Sequence, residues 1–150
     1  MSAPVLRANT DLVVQGWLAG VPGLDGSMVA SSLPADTSGW AATGFVQVST
    51  VGGTPDAYVP MRGPVVSCDC WAVSPNSSKP PWGKANNLAE HIAAACQDHK
   101  GCSRVVVLPG GYPPVRVHQA YLLTEPRRIP EDDGAYARYQ LDMALHWTEQ

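Results

Sequence analysis

Residues 137–147 read Ala137-Arg138-Tyr139-Gln140-Leu141-Asp142-Met143-Ala144-Leu145-His146-Trp147, and they alternate almost without error. Tyr139, Leu141, Met143, Leu145 and Trp147 point one way, while Arg138, Gln140, Asp142 and His146 point the other. A strand has a side-chain period of two. The stretch therefore predicts a long C-terminal strand with one buried face and one wet or partner-facing face. The turn run Ile129-Pro130-Glu131-Asp132-Asp133-Gly134 precedes it.

Working back from that strand, residues 10–19 predict a first helix, capped by Asn9 or Thr10 with Asp11 in its first turn. Val13, Val14, Trp17 and Leu18 make it apolar enough to be buried against a sheet, and Gly20-Val21-Pro22-Gly23 stops it. Short strands are expected near Met28–Leu33, over Gly44–Val51 and over Val65–Val73. Residues 52–63 and 74–83 read as long loops; Pro75, Pro80 and Pro81 forbid a regular ladder in the second. A helix over 84–98 gathers Ala85, Leu88, Ile92, Ala95 and Cys96 on one stripe. Val105–Leu108 and Val115–Thr124 then read as strands around a turn at Gly110-Gly111. The expected order is α-β-β-β-α-β-β-β. It predicts one α+β domain over residues 1–150, a mixed and mostly antiparallel sheet with two helices on one face.

Composition narrows the function classes. A chain of 150 residues with 45% hydrophobic content can bury one substantial core. The net charge of −3 argues against a dedicated nucleic-acid binder, which shows a basic patch. No stretch is long and apolar enough for a membrane span, and the N-terminus lacks a signal-peptide layout. The expectation is a chain made and folded in a cytoplasm.

Catalytic signatures are missing: GxSxG, GxGxxG, the P-loop and HExxH are all absent. Cys68, Cys70, Cys96 and Cys102, with His91 and His99, do not have zinc-ligand spacing. Cys96 falls on the buried stripe, where a thiol is inert; Cys102, just past the helix, is expected to be more exposed. No metal, cofactor or catalytic residue is expected, and reduced thiols are.

The loops carry the remaining signal. Trp40, Tyr58, Met61, Trp82 and Tyr112 all lie in Gly/Pro-rich stretches rather than on core-facing stripes. Aromatics and Met are enriched at interface cores, so these loops are expected to bury themselves against other subunits. Tyr58, Met61 and Trp82 are the expected anchors. Arg116, Arg127, Arg128 and Arg138 are expected to pair with acidic residues such as Asp132 and Asp133 on a neighbouring subunit or on another partner it is assembled with.

Several segments in order resemble a known family. They are Leu33-Pro34-Ala35-Asp36, then Phe45-Val46-Gln47-Val48 with Val51-Gly52-Gly53, and Ser67-Cys68-Asp69-Cys70-Trp71-Ala72. A helix with Ala85, Leu88, Ala89 and Ile92 follows, then Arg138-Tyr139 in the last strand. The chain resembles the tail terminator (tail completion) proteins of long-tailed siphoviruses, particularly those infecting actinobacteria. The resemblance covers most of the chain through loose structural motifs, and the Pro-rich 74–83 stretch departs from the family's pattern. It implies a small α/β subunit that forms a hexameric ring, caps the tail tube, halts its growth and meets the head-closure or neck protein. The tail tube is then the other partner that Arg116, Arg127, Arg128 and Arg138 are expected to meet. Such a protein resides in the virion neck after assembly in the host cytoplasm. DNA passes through the lumen without sequence-specific binding. Six copies at −3 each carry −18, a charge that lets a phosphate backbone slide. The family brings no catalytic residues. The competing readings are another neck protein, such as a head–tail connector or head-closure subunit, and a small thiol- or metal-dependent enzyme.

Overall fold

The computed structural model describes residues 7–74, 79–130 and 135–150. Asn9 caps the first helix, α1 (Thr10–Ala19), by accepting from the Leu12 N–H at 3.0 Å. Val13, Val14, Trp17 and Leu18 form its buried stripe. A 3-10 turn, Gly26–Met28, leads into a strand of only two residues, β1 (Val29–Ala30), where Met28–Leu33 was expected. There follow β2 (Phe45–Gly53), β3 (Pro64–Val73), α2 (Trp82–Gln97), β4 (Arg104–Val106), β5 (Val115–Leu122), β6 (Arg127–Ile129) and β7 (Tyr136–Glu149).

The strand order is β1-β2-β3-β7-β5-β4, with β6 also on β7. Only β1 and β2 run parallel; the other pairs are antiparallel. β7 is thus an inner strand, with β3 along one side and β5 and β6 along the other. The expected α+β class holds, with a fourth strand after α2 that the sequence reading lacked. β5 and β6 are one strand, broken at Leu123–Pro126. Leu122 lies opposite Met143 and Arg127 opposite Gln140, so the register slips between them. In the gap, Thr124 Oγ1 accepts from the Asp142 N–H at 2.9 Å, and Leu123 and Thr124 both donate to the Asp142 carbonyl.

The alternation in β7 sorts the molecule into two faces. Leu141, Met143, Leu145 and Trp147 join Val46, Val48, Val66, Cys68 and Cys70 beneath both helices in the main core. A buried hydrogen bond ties α1 into it: Trp17 Nε1 donates to the Cys102 carbonyl at 3.0 Å. The opposite face is polar along most of its width. One row crosses four strands as Gln47, Asp69, Gln140 and Arg127. At one end of this face Trp40, Phe45 and Val73 form a second small core, packed by Trp71 and Tyr136. Trp40 is 2% exposed, and its Nε1 donates to the Pro34 carbonyl at 3.3 Å. The expectation that Trp40 serves a subunit contact is therefore corrected. The 33–42 loop folds back and uses it as a lid on the polar side of the sheet.

Two further boundaries differ. β2 runs on to Gly53, so the expected 52–63 loop shrinks to 54–63. α2 begins at Trp82, so the last two residues of the expected 74–83 loop are helical; residues 75–78 of that loop lie outside the described residues.

Candidate functional site

The outer strand end and tip of the β2–β3 hairpin, residues 49–60, form an arm exposed without interruption, while residues 65–67 of β3 pair with β7 in the sheet. Gly53 sits at its base with φ +111; a Cβ there would run into the Gly63 carbonyl oxygen and stand 2.8 Å from Pro64 Cα. Glycine is what lets the two strands close at that point. The register also slips between Thr50 and Gly52, the mark of a bulge in β2.

The tip is ordered by one side chain. Asp56 Oδ1 accepts from the Tyr58 N–H at 2.7 Å and the Val59 N–H at 3.0 Å. Those two bonds, the Tyr58 one first, hold the Asp56 carboxyl below its ordinary value of 3.8. The Asp56 N–H donates to the Met61 carbonyl at 3.1 Å, closing the loop. Held this way, Tyr58 is 97% and Val59 50% exposed, while Met61 is half-buried. At the arm's base Arg62 and Trp147 exchange two backbone hydrogen bonds of 2.9 Å, so the arm is seated on the end of β7.

Trp82 lies elsewhere, toward the start of β7. It is half-buried in the first turn of α2, edge-on to Tyr139 with ring centroids 6.3 Å apart. The Arg128 guanidinium lies over its other side, 3.8 Å from the ring centroid. Trp82 and Arg128 therefore satisfy each other within one subunit, and neither is grouped with Tyr58 and Met61.

On the polar face Arg138 donates from Nε and from a terminal nitrogen to Asp69 Oδ1, both at 3.2 Å, and Gln140 Nε2 donates to the same oxygen at 2.9 Å. Arg138 also lies over the Trp71 ring, 5.2 Å from its centroid, and Arg127 donates to Gln140 Oε1. The expected acidic partner of Arg138 is thus supplied from within, by Asp69, a residue the sequence reading did not single out. The two-residue offsets Asp69/Trp71 and Arg138/Gln140 carried that signal, but only strand register reveals it. Arg116 is exposed on β5, 3.5 Å from Ser103 Oγ. Asp132 and Asp133 lie outside the described residues.

All four cysteines are free and buried, Cys102 included, contrary to its expected exposure. Its sulfur turns inward to within 3.8 Å of the His99 carbonyl. Burial pushes the Cys68 and Cys70 thiols well up, and Cys96 up to about 12. Thiols so placed are neutral at any physiological pH. Among the described residues no three metal-ligating side chains come together.

No protein-family model matches the chain, and no curated protein matches it either. The arm and the polar face must be read from their own chemistry.

Proposed function

We propose that the protein is a structural subunit of a phage virion neck. It forms a ring that caps the tail tube, stops tail polymerisation and offers a surface for head–tail joining. The observation that carries this reading is the arm. An aromatic-tipped hairpin, fixed by Asp56 and exposed along residues 49–60, is a feature that assembly uses and a monomer does not need.

The sheet edges support the same reading. β1 pairs only with Val46 and Gln47, leaving the outer side of the arm strand β2 without a strand beyond them among the described residues. β4 pairs only with Val115, Arg116 and Val117, leaving the rest of β5 and all of β6 open on the far side of the sheet among the described residues. Unpaired edges invite strand addition. An edge on each side of one sheet fits a heterologous, head-to-tail contact, the kind that closes into a ring. In this arrangement the arm of one copy lies along the Gln119–Ile129 edge of the next, where Leu123 is 47% exposed.

Tyr58→Ala tests the reading, because a side chain 97% exposed contributes little to the fold of its own subunit. Light scattering should show wild-type rings and Tyr58→Ala subunits that associate at least ~10-fold more weakly, as for an interface anchor. A phage lacking the gene should make tails of abnormal length or tails that fail to join heads. Normal, head-joined tails in that deletion rule the assignment out.

A further inference from the structure

Where the base of the arm meets the start of α1, an open cleft of about 140 Å³ is lined by Thr10, Thr50 and Arg62, together with Gly52, Gly53, Gly63 and two prolines. None of these residues is acidic, and Arg62 supplies the one charge. Its guanidinium lies over the Trp147 ring, 4.9 Å from the centroid, and makes no hydrogen bond or ion pair among the described residues.

Thr10 adds the second observation. It is 8% exposed, yet its hydroxyl makes no hydrogen bond among the described residues. Trp147 Nε1 is the one fully enclosed side-chain donor or acceptor left without a partner there, so the Thr10 oxygen still has open space before it. For a side chain otherwise packed away, that space is the cleft it lines. A partner for this hydroxyl must therefore come from the cleft. The helix itself begins at the same wall. Asn9 accepts from the Leu12 N–H through its side chain and from the Val13 N–H through its carbonyl. The Thr10 and Asp11 N–H groups, the first two of α1, are left without an acceptor among the described residues. The Asp11 side chain is exposed, and Asp11 does not line the cleft.

We propose that this cleft binds a phosphate group, held by the Arg62 guanidinium, the Thr10 hydroxyl and the free amides at the start of α1. Guanidinium and amides can only donate, and the helix start carries partial positive charge, so the cleft asks for an anion. The donors reach in from the arm on one side and from the helix on the other. That spread suits a tetrahedral group, with oxygens on several sides, better than a flat carboxylate. Gly52, Gly53 and Gly63 put no side chain in the way, so the ligand can approach the backbone closely. A nucleic acid is the poorer occupant, because one spare guanidinium on a chain of net charge −3 gives little to a run of phosphates. None of this depends on self-association.

Inorganic phosphate is the probe. Titrated into 15N-labelled wild-type protein at constant ionic strength, it should shift the Thr10 and Asp11 amide signals saturably, while chloride should not. Acetate should bind at least ~10-fold more weakly than phosphate, and Arg62→Gln should lower phosphate affinity by ~10-fold or more. Thr10→Val keeps the branched shape without the hydroxyl and should cost about 5-fold, while Thr10→Ser should bind as wild type. Methyl phosphate binding as tightly as the free ion assigns the site to a phosphate carried on a larger molecule; its exclusion assigns the site to the free ion. The proposal is overturned by no saturable shift, an equal shift with chloride, or equal affinity for acetate. Undiminished phosphate binding in Arg62→Gln or in Thr10→Val, with the variant's melting temperature showing it folded, overturns it as well.

Discussion

Gly16 and Asp56 show how far a single residue's role depends on what lies beside it. By helix propensity alone, Gly16→Ala in α1 should stabilise by about 1 kcal/mol. A Cβ there would stand 2.5 Å from Val106 Cγ1, so helix and sheet would have to part. The expected outcome is a loss of about 1–3 kcal/mol in denaturant unfolding, relieved in part by Val106→Ala. Asp56→Ala should leave the melting temperature unchanged and speed amide exchange at Tyr58 and Val59, since the tip's order depends on that carboxylate. The folded carboxyl titrates lower than the unfolded one, so its ordering effect is complete above the ordinary value of 3.8. It is lost as pH falls through the lowered folded value. Amide exchange at Val59, followed below pH 4 by extrapolation to a common intrinsic rate, checks this.

Among the elements, β7 carries the core and α2 carries its edge. Leu141 is fully buried in the middle of β7, opposite Cys68, so Leu141→Ala should cost about 2–5 kcal/mol in urea unfolding. Trp82→Ala should cost about 2 kcal/mol, less than a fully buried tryptophan, because Trp82 covers Tyr139 from the first turn of α2 with one side under Arg128. Thermal unfolding of the dilute monomer reads that loss without interference from assembly. A melting temperature equal to wild type would return Trp82 to the role of an interface anchor.

For the molecule as a whole, the thiols report global opening. Cys68, Cys70, Cys96 and Cys102 are all buried, and three of them carry thiol pKa values raised by that burial. Alkylation by iodoacetamide should therefore be slow for all four and should follow unfolding rather than surface exposure. Fast modification of Cys102 alone would mean that the turn between α2 and β4 opens by itself.

Alternation in 137–147 was sufficient to find β7, because a side-chain period of two is a local property that no distant contact rewrites. The stripe of Ala85, Leu88, Ile92 and Cys96 placed α2 for the same reason, and the two together determined the α+β class. β6 escaped because three residues after Pro126 have no period of their own; β7 supplies their partner across a register slip. Trp40 looked like a loop anchor because neighbouring Gly and Pro say where regular structure stops, not which way an aromatic turns. The Asp69–Arg138 pair and the uncompensated Arg62 over Trp147 lay beyond sequence for one reason. Each joins residues that strand register brings together, diagonally for Asp69 and Arg138 and directly opposite for Arg62 and Trp147, and register is decided only when the whole sheet closes around its core.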